Sequence, residues 1–275
     1  MIKQKRDAMI LFLSIPLALL AVWVSYSGIF VHGTYRQETV LYASQGIGQD
    51  WVNLFLVVPF LVLSAILAWK GSKTWQLLWS GALFYLAYSF AIYAFSVHFN
   101  GLFLGYCAVL GLSLYSLVYF STTIDQIRYA SGPRVPVLNR LIAGYFFGIA
   151  GLFALLWLAE VVPASLAGNT PASVRAAGLL TNPVHVLDLA ICLPGLVLVG
   201  ILLLRGLKSG LIWTPALLIF IIAMAAAIVG MTLVMAEKGL DLDIFLLGVF
   251  VAVAVVSVVV LVQFLRQWKF SNAAV

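Results

Sequence analysis

Eight apolar runs, each on the order of 20 residues and so of membrane-spanning length, dominate this chain and leave only short polar breaks between them. They cover residues 8–31, 51–69, 75–97, 102–123, 141–163, 183–204, 211–235 and 244–265. At ~1.5 Å of rise per residue, each run can cross a hydrocarbon core as a helix. Helix is the required form, because lipid offers no partner to a backbone N–H or C=O. A membrane barrel would instead need strands of ~10 residues alternating in polarity, and none is visible. Composition closes the soluble alternatives: of 275 residues, 64% are hydrophobic and 9% charged, against about 25% charged in a soluble domain. The reading is an all-α, polytopic transmembrane bundle of eight helices, one membrane domain over 1–275, with the lipid bilayer as its first partner.

The formal charge of +6 does not point to nucleic acid, because the basic residues are scattered between the runs and form no patch. Their distribution instead predicts orientation. Lys3, Lys5, Arg6, Lys70, Lys73, Arg128, Arg134, Arg140, Arg205, Lys208, Arg266 and Lys269 fall on one side, and Arg36, Arg175 and Lys238 on the other. The positive-inside rule then places both termini in the cytoplasm. The first run follows Lys3, Lys5 and Arg6 but exceeds a signal peptide's apolar core of about 7–15 residues and has no A-x-A site, so it reads as an uncleaved helix. Trp51, Trp69, Trp75, Trp157, Trp213 and Trp268 fall near run ends and read as interfacial aromatics. Residues 32–50 and 164–182, with a short acidic stretch around Glu237, Asp241 and Asp243, read as the external loops. Cys107 and Cys192 lie inside apolar runs with no CxxC spacing and read as small buried hydrophobes.

Setting Asp50 on His185 overlays Asp50–Lys73 on His185–Lys208, with identities that include Pro59/Pro194, Gly71/Gly206 and Lys73/Lys208. The same shift sets Asn53 opposite Asp188 and brings the first and third runs onto the fifth and seventh. Two parallel four-helix repeats, 1–132 and 133–275, are expected, related by a pseudo-twofold axis along the membrane normal. Pro59 and Pro194 each remove one backbone hydrogen bond and are expected to kink their helices.

Polar side chains at membrane depth are costly and therefore candidates for function. Asp188, His185, Asn53, Asp50, His98 and Glu160 are the candidate ligand-binding residues, all mapping toward the external side. His185 and Asp188 are spaced i,i+3 and share a helix face, as do Asp50 and Asn53. If the second and sixth spans face each other, the two pairs converge on one outward-opening pocket. Tyr85, Tyr88, Ser89 and Ser96 form a further stripe, with Tyr93 off to its side. Gly101-x-x-x-Gly105 and Gly144-x-x-x-Gly148 suggest close helix contacts. No lysine lies within a span, and no nucleotide, zinc-protease or nucleophile-elbow motif occurs. No metal site and no cofactor are expected, although His98 and His185 leave one axial haem pair open.

The stretches GQDWVNLFLVVPFLVLSAILAWKGS (48–72), LLWSGALFYLAYSFAIYAFSVHFNGLFLGYCAVLGLSLYSL (77–117) and TNPVHVLDLAICLPGLVLVGILLLRG (181–206) resemble a group of bacterial multi-pass membrane proteins with no assigned activity. The resemblance implies a bacterial cytoplasmic-membrane location and carries no chemistry. From the residues, the leading function is small-solute transport or ligand binding at a pocket between the halves. A non-catalytic subunit of a membrane complex or homo-oligomer, and a membrane-embedded metal or haem enzyme, stay open beside it. Among the candidates, Asp188→Asn is expected to impair function more than Glu160→Gln.

Overall fold

The computed structural model describes residues 7–123, 127–129, 137–241 and 244–272. Lys3, Lys5, Arg6, Arg134 and Asp243 lie outside these residues. Among the described residues, eight helices are long and apolar enough to cross a membrane. In chain order they are α1 (Ala8–Phe30), α2 (Val40–Trp69), α3 (Lys73–Ser96), α4 (Phe103–Thr123), α5 (Val137–Leu166), α7 (Pro183–Leu204), α8 (Lys208–Glu237) and α9 (Ile244–Gln267). A short α6 (Ala172–Ala177) lies in the break between α5 and α7. Two three-residue strands not expected from the sequence, β1 (Ile127–Tyr129) and β2 (Phe270–Asn272), pair antiparallel and tie the segment after α4 to the one after α9.

Four of the helices start where a side chain serves a first free N–H group. Asp7 accepts from the Met9 N–H, Thr39 from Tyr42, Ser72 from Trp75, and Asn182, ahead of Pro183, from Val184. The Thr39 cap corrects the sequence reading: residues 40–50 continue α2 and are not loop. Asp50 and Asn53 therefore sit well inside a helix, fully buried, and do not open it.

The offset seen in the sequence recurs in the backbone. A π-turn interrupts α2 at Asn53–Val57 and α7 at Asp188–Cys192. Both helices close the same way: Gly71 donates to the Ala68 carbonyl and Gly206 to that of Leu203, while Ser72 and Leu207 donate to Leu67 and Leu202. Gly71 and Gly206 hold φ of +99° and +67°, which only glycine adopts without strain. The next helices begin at Lys73 and Lys208.

Helices α3 and α8 form the centre and pack on each other. α3 also packs on α2 and α4, and α8 on α2, α7 and α9, while α1 lies on α2 and α4, and α5 on α7. α3 is the least apolar span and the most enclosed. Its polar side chains are tolerable because protein, not lipid, surrounds them. Close approach depends on small residues. A Cβ on Gly48 would overlap the Met231 backbone, and one on Gly81 would lie 2.6 Å from Ile219 Cβ and 2.8 Å from the Ala216 carbonyl. Gly81 and Ala216 are themselves matched by the shift that sets Asp50 on His185. By contrast, Gly101, Gly144 and Gly148 face open space, so the glycine patterns read from sequence do not mark helix contacts there, apart from Gly105 against Trp23 and Val24.

Near the termini a second polar layer ties helices together. Trp79 donates to Ser14 at 2.9 Å, Gln76 to Thr123 at 2.7 Å and Tyr119 to Asp7 at 2.7 Å. Trp268 is buried and donates to Asn139 at 3.2 Å, so it faces the bundle and not the headgroups.

Candidate functional site

Proline sets the local geometry. Pro59 and Pro194 lack an N–H, and their rings would collide with the carbonyl four residues earlier. The backbone answers by widening the preceding turn: Val58 N–H donates to the Asn53 carbonyl and Leu193 N–H to that of Asp188, each five residues back. The expected proline kinks are therefore realised as π-turns, a form that often marks functional positions. Asn53 and Asp188, set opposite each other by the sequence offset, are the first residues of these turns.

Asp188 is half-buried between α3, α5 and α7. Its Oδ1 accepts from the Tyr88 hydroxyl and its Oδ2 from the Trp157 indole N–H, each at 2.9 Å. The His185 ring lies 4.6 Å from the Trp157 ring, so the i,i+3 pair shares one aromatic neighbour. His185 is 6% exposed, and its Nε2 has no hydrogen-bond partner among the described residues. Glu160 Oε2 lies 3.8 Å from that Nε2, too long for a hydrogen bond. Glu160 spends its oxygens on Ser173, accepting from the N–H at 2.8 Å and the hydroxyl at 3.0 Å. It thereby fastens α6 to α5. Cys192, buried, closes the π-turn that Asp188 opens.

Asp50 and Asn53 belong to a separate cluster. Asp50 accepts from the Tyr35 hydroxyl at 2.5 Å and from Tyr93 at 3.1 Å, and Gly28 of α1 leaves the room it occupies. Asn53 Oδ1 accepts from Tyr85 at 3.0 Å. The two acidic pairs therefore do not converge on one pocket. Helix α3 reaches one through Tyr85 and Tyr93 and the other through Tyr88. Tyr93, placed outside the stripe by helical spacing, is the member of α3 that donates to Asp50.

Tyr35 lies in the turn between α1 and α2. Burial first, and then the Asp50 carboxylate, hold its hydroxyl well above the ordinary value of 10.0. A folded-state value raised above the unfolded one gives stability that is full below pH ~10 and lost as pH rises beyond it. Melting curves from pH 8 to 11 are expected to fall more steeply above pH 10 in the wild type than in Tyr35→Phe. Parallel curves would remove Tyr35 from that loss.

His98 stands apart from both clusters. Glu38, whose side chain is 2% exposed, accepts from the His98 N–H at 2.7 Å and lies 3.0 Å from its Nδ1. Asn100 turns the chain by accepting from the Leu102 N–H at 2.9 Å. These contacts strap the 31–39 turn over the Asp50 cluster.

Sequence reasoning missed Tyr35, Glu38 and the role of Trp157. A tyrosine or glutamate in a loop gives no periodic signal. Trp157 near a span end reads as an interfacial anchor, whereas its indole points inward to Asp188. Two cavities lie elsewhere, one an apolar groove between α3 and α4, the other near His32 and Arg36. Among the described residues no three His, Cys, Asp or Glu side chains group as metal ligands would. No family model, curated protein or solved structure matches this chain; the fold is that of a multi-pass membrane protein of eight apolar helices.

Proposed function

We propose that the chain is a bacterial cytoplasmic-membrane protein made of two duplicated four-helix units, 1–132 and 133–275, which binds a small solute beside Asp188 as a step in its transport. The carrying observation is that Asp188, on the π-turn of the second half, takes its Tyr88 hydrogen bond from the first. A solute that competes for this carboxylate acts directly on the contact between the halves. The shared offset of π-turns, glycine turns and helix starts supports the duplication. The unpartnered His185 Nε2 and the Glu160 oxygen near it supply further polar groups on the same side of α7. Asn53, Asp50 and their tyrosines form the closed counterpart, held shut by the 31–39 turn. His98 enters through that strap and does not line the solute site.

Thermal-shift screening of the purified protein against panels of organic cations, amino acids and sugars tests this reading. At ~100 times its dissociation constant, a bound solute adds about 2.7 kcal/mol, which raises the melting midpoint by roughly 5–10 °C for a chain of this size. One chemical class is expected to do so in the wild type and in Glu160→Gln, and not in Asp188→Asn. A solute that shifts wild type and Asp188→Asn alike would move the site away from Asp188. No shift from any panel would remove the solute-binding reading.

A further inference from the structure

The turn after α1 and the turn between α3 and α4 fold against each other at the end of the bundle opposite the termini. Asn100 Nδ2 donates to the Thr34 carbonyl at 3.4 Å and Gln37 Nε2 to the Phe99 carbonyl at 3.2 Å. Between them lies a cavity of about 370 Å³ whose polar lining includes His32, Thr34, Arg36, Gln37 and Asn100, with no aspartate or glutamate. Glu38, the nearest acid in sequence, is turned away under His98. Arg36 is exposed, and no carboxylate pairs with it among the described residues. Gly33, at φ +89°, turns the chain so that the His32 and Gly33 N–H groups find no acceptor within the described residues. A cavity with a free guanidinium, donor side chains and no acid is complementary to an anion. The guanidinium fork matches a phosphate or carboxylate through two parallel hydrogen bonds.

Depth narrows the choice. Phe30, Val31 and Phe99 are exposed around the same turns, at 45%, 52% and 77%. Aromatic and apolar side chains at span ends mark the level where headgroup meets hydrocarbon. We propose that this cavity binds a phosphate group, with Arg36 as its principal contact, and that the group comes from an anionic phospholipid headgroup or from free phosphate. The site is distinct from Asp188 and does not depend on the solute reading.

Two arms separate the sources. Calorimetric titration with inorganic phosphate, at fixed ionic strength, reads the free anion. Native mass spectrometry of protein extracted from phosphatidylglycerol nanodiscs reads the retained lipid. In whichever arm the wild type binds, Arg36→Gln is expected to weaken binding about tenfold or more, as loss of a charge-assisted bidentate contact should. Lys238→Gln, an exposed basic change at the same end, is expected to leave binding unchanged. Matching melting midpoints establish that the variants are folded. Binding of phosphate alone supports a soluble anion, and retention of lipid alone supports a headgroup. Silence in both arms, Arg36→Gln equal to wild type, or an equal loss in Lys238→Gln would overturn the proposal.

Discussion

Gly81→Leu is expected to prevent recovery of folded, monodisperse protein in detergent. Gly81 lies where the two central helices touch, and the atoms facing it are the Ala216 carbonyl and Ile219 Cβ, not the ends of flexible side chains. Neither can swing aside. A leucine side chain there forces α3 and α8 apart, and both helices carry contacts to most of the bundle. Overpacking in a well-packed core costs about 1–3 kcal/mol, more when backbone must move. Here the displaced pair is the centre of the bundle, so the expected loss is at or beyond the upper end. Gly144→Leu is the control: nothing lies within 4 Å of a Cβ there, and it should express and melt as wild type does. Size-exclusion profiles of the two variants read the difference directly. A monodisperse Gly81→Leu protein with an unchanged midpoint would show that α3 and α8 are not in contact as described.

The second large effect is expected from Asp50→Ala. Its carboxylate is fully buried and accepts the hydroxyls of Tyr35 and Tyr93. Truncation leaves the buried Tyr35 hydroxyl without its acceptor, at about 1–3 kcal/mol, and Tyr93 with only the Gly46 carbonyl at 3.1 Å. A drop of several degrees in the melting midpoint is expected, larger than for Asp188→Ala, because Asp188 is only half-buried and water can reach its surroundings. A double-mutant cycle with Tyr35→Phe should show coupling of about 0.5–3 kcal/mol, because the two residues share one hydrogen bond. Additive losses would place the cost of Asp50→Ala elsewhere.

Much of the fold was legible because hydropathy is a local property. Every span begins and ends within a few residues of the sequence reading except at the start of α2. That helix starts at Val40 because Thr39 caps it, but the stretch VLYASQGIGQD carries two glycines, two glutamines and an aspartate, and so resembles a loop. These residues are small or polar because their face packs on α8 and around Asp50, not because the chain turns. Polarity had two causes with one appearance, and only the packing distinguishes them. The glycine patterns failed for a related reason. Spacing shows which glycines share a helix face, not whether another helix occupies it.

The candidate site was legible residue by residue and not as an assembly. Asp188 and His185 do meet, through Trp157, and Asp50 and Asn53 lie in one helix interior. Their separation into two clusters depends on which helices pack around α3, and helical periodicity carries no such information. Tyr35 reaches Asp50 from a turn well before it in the chain, and Tyr88 reaches Asp188 from 100 residues earlier. Contacts of that range arise from the pairing of helices, which the internal repeat hinted at without specifying partners.

The contact between Gly48 and the Met231 backbone has a consequence for the order of synthesis. Helix α2 leaves the ribosome early, whereas the stretch of α8 that fills the hollow beside Gly48 follows only after most of the chain has been made. At about 5–20 residues per second, the gap lasts roughly 10–35 s. Throughout it the newly inserted first half stands in the bilayer with an open flank, its small-residue furrow held by lipid or by an insertion factor until the later helix arrives.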